Sequence, residues 1–332
     1  MKTKIKFFIV SFVILLTAVF FSYRIYKKYQ DIVKEQILSQ KRKEGWLHLE
    51  GILKNKVANF KGTIGIVIED LDTRRKIAFN EDALIPSASL VKVPIMLSCF
   101  YAAENGLINL KDTIRLKSSD KVAGSKILER EPAGSVFTVE ELFNPMITQS
   151  DNAAANILID FLGIDAFNAY FKRMGLRNTN LSRKMMDFEE RREGEENYTT
   201  AQDMAYLLEE LYYKRFLNKD VSEKCLKLLG QQKINDRIPR KLPRGTYVVH
   251  KTGLERHVCH DVGIVFTNRG NFLICVLAKH KNRYAAGAKK FISDVTLLIY
   301  NYYGDGSIFP IKIEPSPLFI TYFLCCRRFC LG

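Results

Sequence analysis

The chain lacks the usual marks of metal, redox and nucleic-acid chemistry. Its seven cysteines, Cys99, Cys225, Cys259, Cys275, Cys325, Cys326 and Cys330, form no C-x-x-C pair and no metal-ligand spacing. No metal and no cofactor is therefore expected. An odd count also fits poorly with a disulfide-stapled secreted framework, which leaves free structural thiols. No stripe of aromatics interleaved with basic residues appears, so nucleic acid is not expected as a partner. Acidic residues are in deficit, 36 against 51 Lys and Arg, for a net charge of +15. A surface of that sign favours anionic lipid or an anionic cell-wall polymer.

Long apolar runs are also scarce. Residues 7–23 carry no charge and are bounded by Lys2, Lys4 and Lys6 on one side and Arg24, Lys27 and Lys28 on the other. Seventeen residues lie at the lower end for a spanning helix and above a usual signal-peptide core. With no A-x-A-like cleavage site after it and no cysteine beside it for lipid attachment, residues 1–23 read as an uncleaved membrane signal anchor. Residues 24–45 are polar, helix-prone and suited to a stalk. The tail, residues 311–332, turns apolar and cysteine-rich, but its uncharged stretch is too short to span a bilayer, and the sequence assigns it no role.

What remains is enough for a full core, since 47% of the 332 residues are hydrophobic. Strands are expected at 63–69 and 76–79 as a hairpin, and again at 247–251, 261–267 and 272–279. A turn at Asn268-Arg269-Gly270-Asn271 would pair Asn268 with Asn271 and place Cys275 opposite Ile264. Helical patterns cover 89–101, 139–145, 151–162, 165–174, 200–217 and 285–303, with breaks at Pro145, Gly163 and Gly175. Strands at both ends of the segment and helices between them describe an α+β architecture. One antiparallel sheet is assembled from both ends of residues 46–310, flanked by helices, with an all-helical lobe between. No internal repeat is evident.

Chemistry is carried by three short motifs in one order: Ser89-Leu90-Val91-Lys92, Ser150-Asp151-Asn152 and Lys251-Thr252-Gly253. A lone S-x-x-K is weak, and the chain contains a second one, Ser118 with Lys121, in a polar stretch with no apolar helix behind it. A serine before an apolar run is ordinarily a helix N-cap, and Ser89 and Ser150 could each be that. The ordered set of three is far less frequent by chance. It supplies a hydroxyl nucleophile, a lysine three residues on that shares its helix face, a second hydroxyl, an amide and a second cation.

The set resembles the signature of the class A β-lactamases and penicillin-binding proteins. Pro86-Ser87-Ala88 before the nucleophile, and the text from Glu140 to Asn156 around the second motif, extend the resemblance over roughly residues 46–303. It implies a β-lactamase/transpeptidase-like fold and a serine hydrolase acylated at Ser89. In that scheme Lys92 is the base, Lys251 depresses its pKa, and Ser150 relays the proton to the leaving nitrogen. Asn152 binds the substrate's side-chain amide, and Asp151 holds its own loop. Lys251 and Thr252 receive a carboxylate, and the backbone N–H groups of Ser89 and of Leu254, the residue after Gly253, form the oxyanion hole. The substrate implied is a β-lactam or a D-alanyl peptide-like small molecule, and the catalytic domain is placed outside the cytoplasm on a membrane anchor.

One segment departs from the family. Where an arginine, a glutamate two residues later and a leucine-asparagine pair are expected, residues 183–194 offer Asp187, Glu189, Glu190 and Glu193 without that frame. Glu189, or failing it Glu190, is the expected base for deacylation, with ready acylation and slow release. A D-alanyl peptidase or esterase acting on cell-wall material and a silent cell-wall-binding module remain as alternatives.

Overall fold

The computed structural model describes residues 2–304 apart from Arg283, with the side chains of residues 2–10 and Val13 also outside the description. The expected tail and its three cysteines lie outside the described residues. The described residues divide into two units, residues 2–51 and Ile52–Gly304. In the first, residues 2–51 are helical and belong to α1, Lys2–Ala58. Phe12, Leu15, Phe20 and Phe21 are exposed there. No helix among the described residues is long and apolar enough to cross a membrane.

The second unit opens on the last residues of α1, followed by β1, Gly62–Asp70, and β2, Lys76–Phe79, as the expected hairpin, then the short β3, Ile85–Pro86. A 3₁₀ turn, Ala88–Val91, leads into α2, Lys92–Glu104. The helical lobe follows, with the two-stranded β4, Thr113–Arg115, and β5, Val136–Thr138, before α3, Val139–Thr148, α4, Asn152–Leu162, and α5, Ile164–Arg173. Next come α6, Phe188–Arg192, β6, Tyr198–Thr199, paired with β3, α7, Ala201–Tyr212, and α8, Lys219–Leu229. The chain closes on β7, Val248–Glu255, β8, Val258–Val265, β9, Phe272–His280, and α9, Ala286–Tyr302.

The main sheet is antiparallel throughout, in the order β2-β1-β9-β8-β7, so strands from both ends of the unit lie side by side. Every residue of β8 is buried, and β9 is buried apart from Lys279. Such strands need cover on both faces. Packing of α7 on β1 and β9, and of α9 on β8 and β9, supplies it.

Several local expectations are corrected. The helix expected to end at Pro145 runs on to Thr148, with Pro145 inside it; the proline removes one ladder bond, but its carbonyl accepts the N–H groups of Gln149 and Asp151. Pro94 falls in the first turn of α2, where its missing N–H costs little. The helix expected over 200–217 stops at Tyr212, and the chain reverses through left-handed Lys214 and Leu217. A helix not expected, α8, then starts at Asn218, whose side chain caps Val221 N. In the last hairpin the pairing is slipped by two residues: Val265 faces Phe272, and Cys275 faces Val262 rather than Ile264. The six-residue loop is closed by side chains instead of ladder bonds, Thr267 N donating to Asn271 Oδ1 at 3.1 Å and Thr267 Oγ1 to the Gly270 carbonyl at 2.6 Å. Cys99, Cys225, Cys259 and Cys275 are free and buried.

Candidate active site

The nucleophile's backbone is held from three directions. Ser89 lies in the 3₁₀ turn next to Ala88, whose φ of 44° is unusual for a residue with a side chain. Upstream, Ser87 N donates to the Asn197 carbonyl at 2.7 Å, and buried His260 donates from Nε2 to the Pro86 carbonyl at 2.9 Å while its Nδ1 accepts from Ala278 N. Burial lowers the His260 pKa to about 4, so the imidazole is neutral and keeps that donor–acceptor pair. From the sheet side, β7 presses against the turn at Gly253. A Cβ there would stand 2.9 Å from His260 Cδ2, 3.2 Å from the Ser87 carbonyl oxygen and 3.3 Å from Leu90 Cγ, so only glycine permits this approach.

Polar atoms of the three motifs form one chain. Lys92 Nζ lies 3.2 Å from Ser89 Oγ and 3.4 Å from Ser150 Oγ, and Lys251 Nζ donates to Ser150 Oγ at 2.9 Å. Lys92 also donates at 2.6 Å to the Ser150 carbonyl and to Asn152 Oδ1. Both lysines are fully buried. Burial brings the Lys92 amine down to about 7, against the pull of Asp151. Burial likewise holds Lys251 well below the usual lysine range, aided by the charges of Lys92 and Arg237 and opposed by Asp261. Desolvation is the largest cause of the Lys92 shift, and the repulsion between the two buried amines, which lowers Lys251, works in the same direction.

Ser150 is not a helix cap. It sits in the left-handed region at φ 60°, which turns both its hydroxyl and its carbonyl toward the lysines. Asp151 caps α4 through Ala154 N and also accepts from Ile127 N and Leu128 N, so its carboxylate holds the loop. Asn152 divides its amide between Lys92 and the Ala123 carbonyl, the latter at 2.8 Å. Thr252 is buried, and exposed Leu254 lines a small cavity with Ser89. The second S-x-x-K is elsewhere in its bonding: Ser118 is exposed, and Lys121 donates to the Glu129 carbonyl.

The loop 183–197 walls this cavity. Asn197 closes its neck, accepting from Ser182 N and Arg183 N and donating to the Arg183 carbonyl. Asn156 fixes Met185 by two bonds, from its amide to the Met185 carbonyl and from Met185 N to its Oδ1. The expected deacylation carboxylates are not brought to the site. Glu189 has 89% of its side chain exposed and faces Arg192, and Glu190 is exposed on the same short helix α6. Glu189 and Glu190 stay hydrated on the outer side of this short charged helix, while Arg191 between the charges turns inward to Glu196 and Glu255. The carboxylates that do line the cavity are Glu196 and Glu255. Sequence reasoning missed both. Their signal is faint: Glu255 follows the third motif at two residues from Gly253, and Glu196 precedes Asn197 at the end of the loop.

A hydroxyl–amine–hydroxyl–amine chain with both amines buried, at the edge of an antiparallel sheet beside a helical lobe, defines an active-serine acyl-transfer enzyme. Comparison with known proteins is consistent at every level. A sequence profile of the β-lactamase enzyme family matches residues 48–303. The β-lactamase VEB-1 of Pseudomonas aeruginosa is 25% identical over 273 residues, covering 77% of this chain and 89% of its own. Among solved structures, a β-lactamase from Sphaerobacter thermophilus is 31% identical with a TM-score of 0.69, covering 80% of this chain and 98% of that one. An ancestral (GNCA) class A β-lactamase is 25% identical with a TM-score of 0.69, covering 76% and 99%. The chain belongs to the β-lactamase enzyme family and is a serine hydrolase of the class A β-lactamase-like type.

Proposed function

We propose that this enzyme opens β-lactams by forming an ester at Ser89, with the roles that follow from the geometry. Lys92 takes the Ser89 hydroxyl proton as the oxygen attacks the lactam carbonyl; the carbon–nitrogen bond breaks, and the proton reaches the leaving nitrogen through Ser150 Oγ. Lys251 and Thr252 receive the substrate carboxylate, whose charge favours a protonated Lys251. Asn152 exchanges its internal bonds for the substrate's amide, and the N–H groups of Ser89 and Leu254 face the developing oxyanion. The single observation that carries the reading is the continuous contact from Ser89 Oγ through Lys92 and Ser150 to Lys251, with Lys92 poised at about 7. A wall-binding module has no use for a desolvated amine beside a serine.

Membrane attachment through residues 7–23, with the catalytic unit outside the cytoplasm, is part of the proposal. It rests on the uncharged run and its basic flanks. Carbonate-resistant retention in the membrane fraction supports it, and a mature protein beginning near residue 24 contradicts it. Acylation is tested by fluorescent penicillin: labelling is expected for the wild type and for Ser118→Ala, and none for Ser89→Ala. Labelling that survives Ser89→Ala overturns the assignment.

A further inference from the structure

Acylation leaves an ester on Ser89, and release requires a water with a base beside it. We propose that Glu255 is that base. The inference rests on the acyl-enzyme reading and adds the step that follows it.

Ser89, Asn152, Met185, Glu196 and Glu255 share the lining of a cavity of about 60 Å³. Liquid water takes about 30 Å³ per molecule, so the space suits one or two waters next to the nucleophile. Two carboxylates reach it, and they differ in what they have left to offer. Glu196 is fully engaged: Oε1 accepts from Arg183 Nε at 3.1 Å, Arg183 Nη2 at 2.7 Å and Asn197 N at 2.9 Å, while Oε2 faces Arg191 Nε at 3.1 Å. Glu255 is engaged on one side only. Its Oε1 faces Arg183 Nη2 at 3.3 Å and Arg191 Nη1 at 3.2 Å, and its Oε2 is buried with no hydrogen-bond partner among the described residues.

An orphaned carboxylate oxygen in a folded protein is costly and calls for an explanation. A water in the cavity, which Ser89 also lines, supplies one by donating to Oε2. Two arginines fix the carboxylate, so its one unused oxygen is held in place rather than free to rotate, which is what positioning a base requires. The groups used in acylation are spoken for: Lys92 lies between Ser89 and Ser150, and Ser150 also accepts from Lys251. Glu189 and Glu190 lie on the solvent side of the loop.

The step balances within the site. The water oxygen bonds to the acyl carbon, and its proton passes to Glu255 Oε2. As the tetrahedral centre collapses, the carbon–Ser89 Oγ bond breaks and the proton returns from Oε2 to Oγ, leaving a carboxylic acid and free serine.

The test measures acylation and release separately on the full chain, by stopped-flow and by the lifetime of the penicillin adduct in mass spectra. Glu255→Gln keeps the shape and is expected to acylate within about threefold of wild type but to release about 10²-fold more slowly or worse, as loss of a general base does. Arg191→Gln separates base from clamp, because it removes one partner of Oε1 and leaves the carboxylate; its release is expected to stay within about tenfold of wild type. Wild-type release should show a solvent deuterium isotope effect that Glu255→Gln loses. Release from Glu255→Gln at the wild-type rate, or an equal slowing in Arg191→Gln, overturns the proposal. Absence of any adduct on the wild type would instead sink the acyl-enzyme reading beneath it.

Discussion

Replacing Lys92 by methionine should abolish acylation while leaving the fold standing, and both halves can be worked from the structure. With the amine at about 7, half of it is neutral at pH 7. At pH 5 only about 1% is, so acylation at subsaturating substrate should be about 50-fold slower than at pH 7 and about twofold faster at pH 8. Methionine removes the base outright, for a loss of about 10²- to 10⁴-fold. Stability moves differently. The folded amine binds its proton more weakly than an unfolded lysine at 10.5, so stability is lost as pH falls from about 10.5 to about 7 and is level below that. At pH 7 this penalty is at most about 5 kcal/mol, at about 1.4 kcal/mol per pKa unit. Lys92→Met removes the penalty but strips donors from the Ser150 carbonyl and Asn152 Oδ1, at about 1–3 kcal/mol each. The two nearly cancel, and the variant should melt within about 2 kcal/mol of wild type. Stopped-flow acylation from pH 5 to 8 beside denaturant unfolding reads both. A flat pH profile in the wild type, or near-normal acylation in Lys92→Met, would refute the reasoning.

Two further perturbations follow from packing and charge. Gly253→Ala places a methyl 2.9 Å from His260 Cδ2 and 3.2 Å from the Ser87 carbonyl oxygen, so either β7 or the nucleophile turn must shift; acylation should fall about tenfold or more and stability by about 1–3 kcal/mol, read by penicillin labelling and urea unfolding. Glu69, buried on β1 beside α7, has its pKa raised to about 7 by burial and by the nearby Glu209 carboxylate, against the pull of Lys76 and Arg74. Its folded form holds a proton more tightly than an unfolded glutamate, so stability is lost as pH rises from about 4.5 to about 7. Glu69→Gln should therefore gain thermal stability relative to wild type on going from pH 5 to pH 8, and an equal difference at both values would contradict the raised Glu69 pKa.

The residues legible in the sequence are those whose chemistry is local. Ser89 and Lys92 are three apart, and Ser150 and Asn152 two apart, so one turn or one helix start fixes each pair; the ordered motifs then imply that distant segments converge. Strand and helix types were legible from periodicity, including the return of β7 to β9 after the helical lobe. The register of the last hairpin was not, because Thr267 and Asn271 close its loop with side-chain bonds that no turn rule anticipates. Nor was the end of α7, where apolar residues continue through Phe216 and Leu217 but pack after a reversal at Lys214. Least visible were Glu196 and Glu255. A charge run and a glutamate after a strand both look like solvated positions, and only the convergence of Arg183 and Arg191 on them, from a loop closed by Asn197, brings them indoors.

The most direct test of the central claim is to incubate the protein with benzylpenicillin, quench at intervals and map the adduct by mass spectrometry of its peptides. The account predicts a covalent acyl group on the peptide containing Ser89, formed at neutral pH, decaying on further incubation and absent from Ser89→Ala. An adduct on another residue, or none at any time with the substrate left unopened, would contradict it.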